Sequence, residues 1–314
     1  MKLSIVEPIG ISQAKVDELA KQFLPSDVEV IYYNTPAADS AEKIQRAKGA
    51  EAVIIANKPF KSDVLANCPD LKFLSVAFTG VDHVDMDYCR GHEITVSNCS
   101  GYADNAVSEL VIGMCISLFR KLSQAEEAAR RSRSAEGLRG LELCGKKFGI
   151  IGAGKIGMMT AALAKSFGCE VYCYRRHAPS DSPYTFTSME YILQHCDIIS
   201  LHMPLNDSTR KMIDAEKIAL MKPNAILINT ARGGVVDTKA LAAALNSGKI
   251  AGAAIDVFDT EPPLPEDNPL LHAKNTLVTP HIGFDTQEAM EKRALIAFEN
   301  VAKWLVKTPQ NVMN

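Results

Sequence analysis

Short apolar runs alternate with amphipathic segments along most of the chain. Among the first hundred residues, the apolar runs cover 3–7, 28–34, 53–56, 71–78 and 94–98, and helical patterns cover 12–23, 40–47, 61–66 and 85–90. Strands and helices that alternate at this spacing predict a parallel sheet with helices on both faces. We therefore expect a doubly wound, flavodoxin-like α/β domain in this part of the chain.

The same alternation resumes after one long helical pattern over 105–133. The later strands are predicted at 148–151, 169–175, 197–202, 225–230, 251–257 and 276–280, and the helices at 158–167, 188–196, 214–220 and 239–247. An amphipathic pattern over 286–307 predicts a last helix, which we expect to return to the first domain because that domain has few strands. The predicted organisation is α/β, with one doubly wound parallel-sheet domain formed by 1–99 and 285–314 and a second formed by 100–284.

A glycine motif lies where the first strand of the second domain meets its helix. The motif is Gly152-x-Gly154-x-x-Gly157, with Lys155 and Ile156 opening the helix. Such glycines allow a tight turn, close approach of the backbone to a pyrophosphate, and close packing of helix on strand. The helix that starts there directs unpaired N–H groups and the positive end of its dipole at the phosphates. The pattern predicts a Rossmann domain that binds a dinucleotide cofactor.

Composition narrows the class of protein. The chain has 314 residues, 47% of them apolar, and a formal net charge of −3, so we expect no general attraction to nucleic acid or to an anionic membrane. We find no apolar stretch of membrane-spanning length and no signal core, and we expect a cytoplasmic protein. The eight cysteines are scattered, with no His cluster at metal-ligand spacing, which predicts reduced, buried thiols and no metal site.

Three residues that can carry chemistry follow three successive strands of the second domain. They are Arg232, Glu261 and His281. Because parallel strands all end at one edge of a sheet, the three side chains are expected to converge beside the cofactor. Such a set suits reversible reduction of a 2-oxo acid. Arg232 would hold the substrate carboxylate and carbonyl, His281 would donate a proton, and Glu261 would orient the imidazole and raise its pKa.

Two loops of the first domain are candidates for contact with substrate. One contains Asn57 and Lys58, and the other contains Phe78, Thr79 and Gly80. Both follow strands at the edge where open α/β sheets bind ligands. Either loop could instead be only a turn. Phe78, together with Phe60 beside the first loop, would make the substrate pocket partly apolar.

Five motifs that occur in order along the chain carry a resemblance to a known family. They are the glycine motif, Leu201-His202-x-Pro204-Leu205, 229–237 with Thr230-Ala231-Arg232, 256–262 with Asp256 and Glu261, and Pro280-His281-Ile282-Gly283. Together they resemble the D-isomer-specific 2-hydroxyacid dehydrogenases. The resemblance implies that Arg232, Glu261 and His281 are catalytic and that backbone N–H groups around Thr79 and Gly80 take the substrate carboxylate. It also implies a homodimer joined through the cofactor domains and a small-molecule substrate. Cofactor contacts are implied for His202, Pro204, Thr230, Ala231, Asp256, His281 and Gly283, with Asp256 near the nicotinamide.

One position departs from the commonest pattern of the family. The strand that usually ends in an acidic residue for the ribose hydroxyl of NAD here ends in Arg175 and Arg176. Two arginines suit a 2′-phosphate, so NADP is expected, with NAD as the alternative. This feature resembles the NADPH-linked glyoxylate and hydroxypyruvate reductases. Two alternatives remain open: an NAD-dependent dehydrogenase of D-3-phosphoglycerate or a bulkier D-2-hydroxy acid, and a cofactor-sensing binding protein similar to the corepressors of this family.

Overall fold

A computed structural model describes residues 1–260 and 263–314 of the chain. It divides into two compact units, one made of Met1–Ala103 with Asp285–Asn314 and the other of Asp104–Phe284. The chain therefore leaves the first unit once and returns to it with its last helix. Each unit has its own parallel sheet.

The first unit is built on five parallel strands in the order β2-β1-β3-β4-β5. The strands are β1 Lys2–Ile5, β2 Glu29–Tyr32, β3 Ala52–Ile55, β4 Phe73–Val76 and β5 Thr95–Asn98. Its helices are α1 Gln13–Phe23, α2 Ser40–Ala47, α3 Ser62–Leu65, α4 Met86–Gly91 and the C-terminal helix Gln287–Leu305. The strand order is the flavodoxin-like one.

The second unit is built on seven parallel strands in the order β12-β11-β10-β9-β6-β7-β8. The strands are β6 Lys147–Ile151, β7 Glu170–Tyr174, β8 Thr185–Phe186, β9 Ile198–Leu201, β10 Ile226–Asn229, β11 Gly252–Ile255 and β12 Thr276–Val278. Its α-helices are α5 Asp104–Arg120, α6 Leu122–Arg130, α7 Lys155–Ser166, α8 Met189–His195, α9 Ala215–Leu220 and α10 Thr238–Ser247, and 3-10 turns cover Gly233–Val235 and Pro269–Leu271. The order reverses between β6 and β9, as in a Rossmann fold. The predicted fold class, two doubly wound parallel-sheet domains, is confirmed.

The single helix predicted over 105–133 is wrong. The structure has two helices there, because Lys121 adopts a left-handed conformation (φ 50°) and ends the first. The chain folds back at this point, and Leu141 N donates to Phe119 O at 2.9 Å. Gly140 lies so close to that carbonyl that a Cβ would be 2.3 Å from the oxygen. A tertiary contact therefore takes a carbonyl that a continuous helix would use.

The prediction that all eight cysteines are buried is wrong for one of them. All eight thiols are free and seven are buried, but Cys144 is exposed. It lies just before β6, where the chain turns at Gly145 (φ 74°) beside the equally left-handed Gly168 (φ 80°). The Gly145 N–H donates to Gly168 O at 2.9 Å. Because Cys144 lies in this surface turn, its side chain is exposed to solvent although its sequence neighbours include apolar residues.

The C-terminal helix packs into the core of the first unit against α1 and β4. Its fully buried Asn300 is the polar centre of this packing. The Asn300 amide donates to Asn98 O at 2.9 Å, and its carbonyl oxygen accepts from Gln310 at 3.2 Å and Asn311 at 3.1 Å. One side chain thus joins the end of β5, the helix and the chain terminus.

We predict that Asn300→Ala lowers the free energy of unfolding by about 2 kcal/mol, because buried partners lose their hydrogen bonds. Urea denaturation followed by circular dichroism measures the change. Glu291→Ala, at an exposed position of the same helix, is the matched control and is expected to shift stability by less than about 0.5 kcal/mol. Equal effects of the two substitutions would contradict the role assigned to Asn300.

Candidate active site

The glycine loop ties three strands of the second unit together at the edge where they end. Gly152 adopts a left-handed conformation (φ 102°), and a Cβ at this position would lie 2.6 Å from the carbonyl carbon of His202. The N–H groups of Gly152 and Ala153 donate to Tyr174 O at 2.9 and 3.1 Å. The end of β6 is thereby fixed to the ends of both β7 and β9. Only glycine meets the conformational and the steric demand together.

The other two glycines of the motif have different physical roles. A Cβ on Gly157 would lie 2.4 Å from Gly152 O, so Gly157 allows α7 to pack on the loop. At Gly154 a Cβ would meet no atom within 4 Å. Gly154 is the N-cap of α7 and gives no side-chain cap to its first N–H groups. Open space before an uncapped helix N-terminus, at Lys155 and Ile156, fits a pyrophosphate.

Arg175 and Arg176 directly follow Tyr174, the residue whose carbonyl holds the glycine loop. Both arginine side chains are exposed. Arg176 Nη2 donates to Ser208 Oγ at 3.0 Å. The predicted pair of cations therefore lies at the end of β7, immediately beside the loop.

His202 and Pro204 lie on the loop that follows β9. Burial lowers the pKa of His202 to about 4, so its imidazole is uncharged at neutral pH. Its Nε2 lies 2.8 Å from Oγ of the fully buried Ser200, and the neutral ring is expected to accept that hydroxyl hydrogen there. Pro204 is exposed, and its carbonyl accepts from Thr209 Oγ1 at 2.7 Å.

The turn after β10 carries Thr230, Ala231 and Arg232. Asn229, which is buried, accepts from Ala231 N at 3.1 Å and donates to Arg232 O at 3.0 Å, which fixes the turn. The partly buried Arg232 also donates through Nη1 to Ala231 O at 2.8 Å. Within the described ranges, the buried hydroxyl of Thr230 has no hydrogen-bond partner. Buried polar atoms usually have partners, so this hydroxyl fits contact with a bound group.

A buried carboxylate holds the turn that carries His281. Asp256 is fully buried, and its Oδ1 accepts from Thr279 Oγ1 at 2.6 Å and from Ile282 N at 2.8 Å. Its Oδ2 accepts from Gly283 N at 2.8 Å. His281 lies between these donors in a left-handed conformation (φ 59°), which non-glycine residues adopt only where neighbours enforce it.

The loops after β6, β7, β9, β10, β11 and β12 gather at one edge because all their strands are parallel. This edge holds all the described cofactor candidates of the second unit and two of the three catalytic candidates, Arg232 and His281. Glu261 lies outside the described residues. A Cβ at Gly233, just after Arg232, would lie 1.9 Å from the carbonyl carbon of Phe258, so the turns after β10 and β11 are in direct backbone contact.

Asn57 and Lys58 follow β3 at the corresponding edge of the first unit. Asn57 is partly buried and Lys58 is exposed. The preceding Ala56 N donates to the buried Glu7 carboxylate at 2.6 Å, and Lys43 Nζ donates to Pro59 O at 2.8 Å. Burial raises the pKa of Glu7, while that hydrogen bond and the charges of Lys43 and Lys58 act in the opposite direction. The loop is thus anchored on both sides.

Phe78, Thr79 and Gly80 follow β4 at the same edge of the first unit. The Phe78 ring is only 5% exposed and packs 6.0 Å from the Tyr102 ring, and Phe60 is also buried. Both aromatic side chains therefore belong mainly to the core of the first unit and not to an exposed pocket wall. Thr79 is exposed, and its carbonyl accepts from Asn98 Nδ2 at 2.7 Å.

Sequence reasoning missed several residues that shape these loops. Ser208 and Glu7 carry no motif signal, and Asn229 opens the 229–237 motif but was given no role there. Asn229 and Glu7 could have been flagged because each is a polar residue at the end of an apolar strand, where it is buried without a solvent partner. Ser208 could not, because its contact with Arg176 joins residues 32 positions apart.

In residues 1–260 and 263–314, no group of three His, Cys, Asp or Glu side chains could hold a metal ion. Within the same ranges, no helix is long and apolar enough to span a membrane.

Residues 112–283 match the family described as D-isomer specific 2-hydroxyacid dehydrogenase, NAD binding domain. The chain is 36% identical to a D-3-phosphoglycerate dehydrogenase of Methanocaldococcus jannaschii, over 87% of this chain and 53% of that protein. This chain thus spans about half the length of that relative. It is 38% identical to a glycerate dehydrogenase of Methylorubrum extorquens, over 87% of this chain and 88% of that one. A hydroxypyruvate reductase of Blautia hydrogenotrophica is 32% identical, over 91% of each chain.

A solved structure with a similar fold is that of an acyclic imino acid reductase in complex with NADPH and D-Arg. It has a TM-score of 0.90 and 29% sequence identity, and the alignment covers 100% of both chains. The similarity therefore extends over both units of this chain.

The three glycines generate a matched prediction. We expect Gly154→Ala to keep its melting temperature within about 3 °C of the parent, since the new methyl group meets open space. The same methyl group should weaken binding of a nicotinamide dinucleotide at least about tenfold, because it occupies the approach to the helix N-terminus.

Gly152→Ala is the comparison. Its methyl group would strike the His202 backbone in a strained conformation, so both the melting temperature and the binding should fall. Thermal denaturation and NADH or NADPH fluorescence titration measure the two quantities. Loss of stability in Gly154→Ala as large as in Gly152→Ala would refute the division of roles.

Proposed function

The chain belongs to the D-isomer-specific 2-hydroxyacid dehydrogenases, a family of oxidoreductases that use a nicotinamide cofactor, and we propose that it reduces a small 2-oxo acid with NADPH. The observation that carries the proposal is the gathering of Arg232, His281 and the glycine loop at one edge of the second sheet. Glyoxylate and hydroxypyruvate are the proposed substrates. The product is the corresponding 2-hydroxy acid, of the D configuration where carbon 2 is a stereocentre.

The cofactor would occupy the edge around the glycine loop. Gly154 and the N–H groups of Lys155 and Ile156 would take the pyrophosphate, and the hydroxyl of Thr230 would find a partner in the bound group. His202, Pro204, Ala231 and Gly283 would line the same site. Asp256 would act near the nicotinamide by holding the Thr279–Gly283 turn. A nicotinamide held there would supply the hydride that reduces the carbonyl carbon.

The chain's own residues then supply charge and a proton. Arg232 would hold the carboxylate and carbonyl oxygen of the substrate through its planar set of N–H donors. His281 would donate a proton to the carbonyl oxygen as the C–H bond forms, which yields the hydroxyl of the product. Glu261, outside the described residues, would hydrogen-bond the imidazole and keep it oriented. In the first unit, the N–H groups around Thr79 and Gly80 would bind the substrate carboxylate.

The exposed Arg175 and Arg176 support NADPH as the cofactor. Guanidinium groups pair well with a phosphate, and a ribose hydroxyl offers them no charge. The acyclic imino acid reductase of similar fold carries NADPH. NAD remains the alternative if both side chains stay in solvent.

Charge near the first-unit loops favours an unphosphorylated substrate. Lys58 and Lys43 lie close enough to the buried acidic Glu7 to lower its pKa, which burial raises, so an acidic group stands beside the cations of this loop. A phosphate would gain less from this loop than from an unopposed pair of lysines. The alternative is an NAD-dependent dehydrogenase of D-3-phosphoglycerate or a bulkier acid. The similarity to the D-3-phosphoglycerate dehydrogenase of Methanocaldococcus jannaschii supports this alternative. A corepressor-like binding role would show cofactor binding without turnover.

A homodimer through the second unit is part of the proposal. α6 buries none of its residues, and Leu122 and Leu141 are 49% and 48% exposed. Exposed leucines such as these suit contact with a second copy. Sedimentation of the purified chain as a 34.1 kDa species alone would contradict this part.

We expect fast oxidation of NADPH with glyoxylate and hydroxypyruvate, and slower rates with pyruvate and phosphohydroxypyruvate. Initial rates with NADPH and with NADH, monitored at the nicotinamide absorbance, give both specificities. Pyruvate with an added primary amine separates oxo-acid reduction from imine reduction. A preference for NADH would contradict the NADPH preference inferred from Arg175 and Arg176. Turnover of phosphohydroxypyruvate alone would contradict glyoxylate and hydroxypyruvate as the substrates.

Arg232→Ala tests the division between substrate and cofactor. Without the guanidinium, kcat/KM should fall at least about a thousandfold, since both orientation and charge are lost. The dissociation constant of NADPH should change less than about threefold. Arg133→Ala, which removes an exposed arginine of the same unit away from the candidate site, is the matched control. Equal losses of rate and of cofactor affinity in Arg232→Ala would contradict the assignment.

A further inference from the structure

One hydrogen bond crosses over the glycine loop of the second unit. Arg176 follows β7 and Ser208 follows β9, and these strands lie on either side of β6 in the sheet. Arg176 Nη2 donates to Ser208 Oγ at 3.0 Å. The two loops thus meet above the end of β6, where the glycine loop begins.

Ser208 is itself held in a fixed orientation. Its hydroxyl donates to Asn206 Oδ1 at 2.7 Å, and its backbone N–H donates to the same oxygen at 3.0 Å. Asn206 N donates to Thr209 Oγ1 at 2.9 Å, and that hydroxyl donates to Pro204 O at 2.7 Å. Since the hydroxyl hydrogen of Ser208 is used by Asn206, a lone pair of its oxygen faces Arg176.

We propose that Ser208 is a positioning residue for the 2′-phosphate of NADP(H), acting through Arg176. This inference rests on the proposed NADPH preference. It identifies Ser208, on the loop after β9, as a residue that contributes to that preference. An arginine has five N–H donors, and Ser208 engages one of its nitrogens. The others remain available for a phosphate.

Preorganisation is the physical basis of the effect. A free arginine side chain on a surface loses conformational freedom when it binds a ligand, and that loss weakens binding. Ser208 restricts Arg176 before the cofactor arrives. Because Arg176 would contact only the 2′-phosphate, the gain applies to NADPH and leaves NADH unaffected.

Two charged neighbours of Ser208 act on the same ligand. Asp207 is exposed and adds negative charge, which opposes a phosphate, whereas the exposed Arg210 adds positive charge. Neither forms the bond to Arg176. Replacement of Ser208 leaves both charges in place, so it isolates the positioning effect.

Calorimetric titration with 2′,5′-ADP and with 5′-AMP tests the proposal without any substrate. The two ligands differ by the 2′-phosphate that Arg176 is proposed to bind. The parent protein should bind 2′,5′-ADP at least about tenfold more tightly. Ser208→Ala should lose about three- to tenfold in affinity for 2′,5′-ADP and none for 5′-AMP, and Ser208→Thr should retain the parent values.

A double-mutant cycle identifies the route of the effect. In an Arg176→Ala background, Ser208→Ala should cause no further loss of 2′,5′-ADP affinity. Ser134→Ala, an exposed loop serine of the same unit, is the control and should bind both ligands as the parent does.

The outcomes separate this inference from the proposed function. If the parent binds both ligands equally, the NADPH proposal fails and this inference fails with it. If the parent discriminates but Ser208→Ala weakens both ligands equally, or neither, Ser208 only orders its loop and this inference alone is overturned. A further loss in the Arg176→Ala background also overturns it, because the effect would then bypass Arg176.

Discussion

The contact between Gly152 and the backbone of His202 is the constraint on which the candidate site depends. It brings the end of β6 against the end of β9, while hydrogen bonds from Gly152 and Ala153 join β6 to β7. The strand order reverses at this point, so a crevice is available there for a ligand. Any side chain at Gly152 would push the two loops apart. This approach places the loop that carries His202, and the hydrogen bonds to Tyr174 O place the loop that carries Arg176.

The other half of the site depends on buried polar groups that fix irregular turns. Asp256 gathers three donors from the Thr279–Gly283 turn, and Asn229 bridges both sides of the turn that carries Arg232. Burying a carboxylate or an amide is costly unless its hydrogen bonds are satisfied, and here they are. The consequence is that His281 is held in a conformation that it would rarely adopt alone.

The sequence predicted what depends on periodicity and on strand ends. Alternating apolar runs gave the two parallel sheets, and the positions after β10 and β12 placed Arg232 and His281 at one edge. What it missed depends on contacts between distant residues. The break at Lys121 arises because Leu141 takes the carbonyl of Phe119, and the two-residue β8 is too short for any pattern. Asp256 was assigned to the nicotinamide by resemblance, and its hydrogen bonds to the His281 turn could not be read from its position in the chain.

The distribution of charge explains how a chain of net charge −3 can receive an anionic cofactor and an anionic substrate. His202, with its pKa lowered to about 4, brings no charge to the edge at neutral pH. The Asp256 carboxylate is surrounded by three donors, so little of its acceptor capacity faces a ligand. The groups that attract anions at this edge are therefore the N-terminus of α7 and the side chains of Arg175, Arg176 and Arg232. Arg176 is held by Ser208 and Arg232 by the Ala231 carbonyl, and local placement of a few donors outweighs the sign of the whole chain.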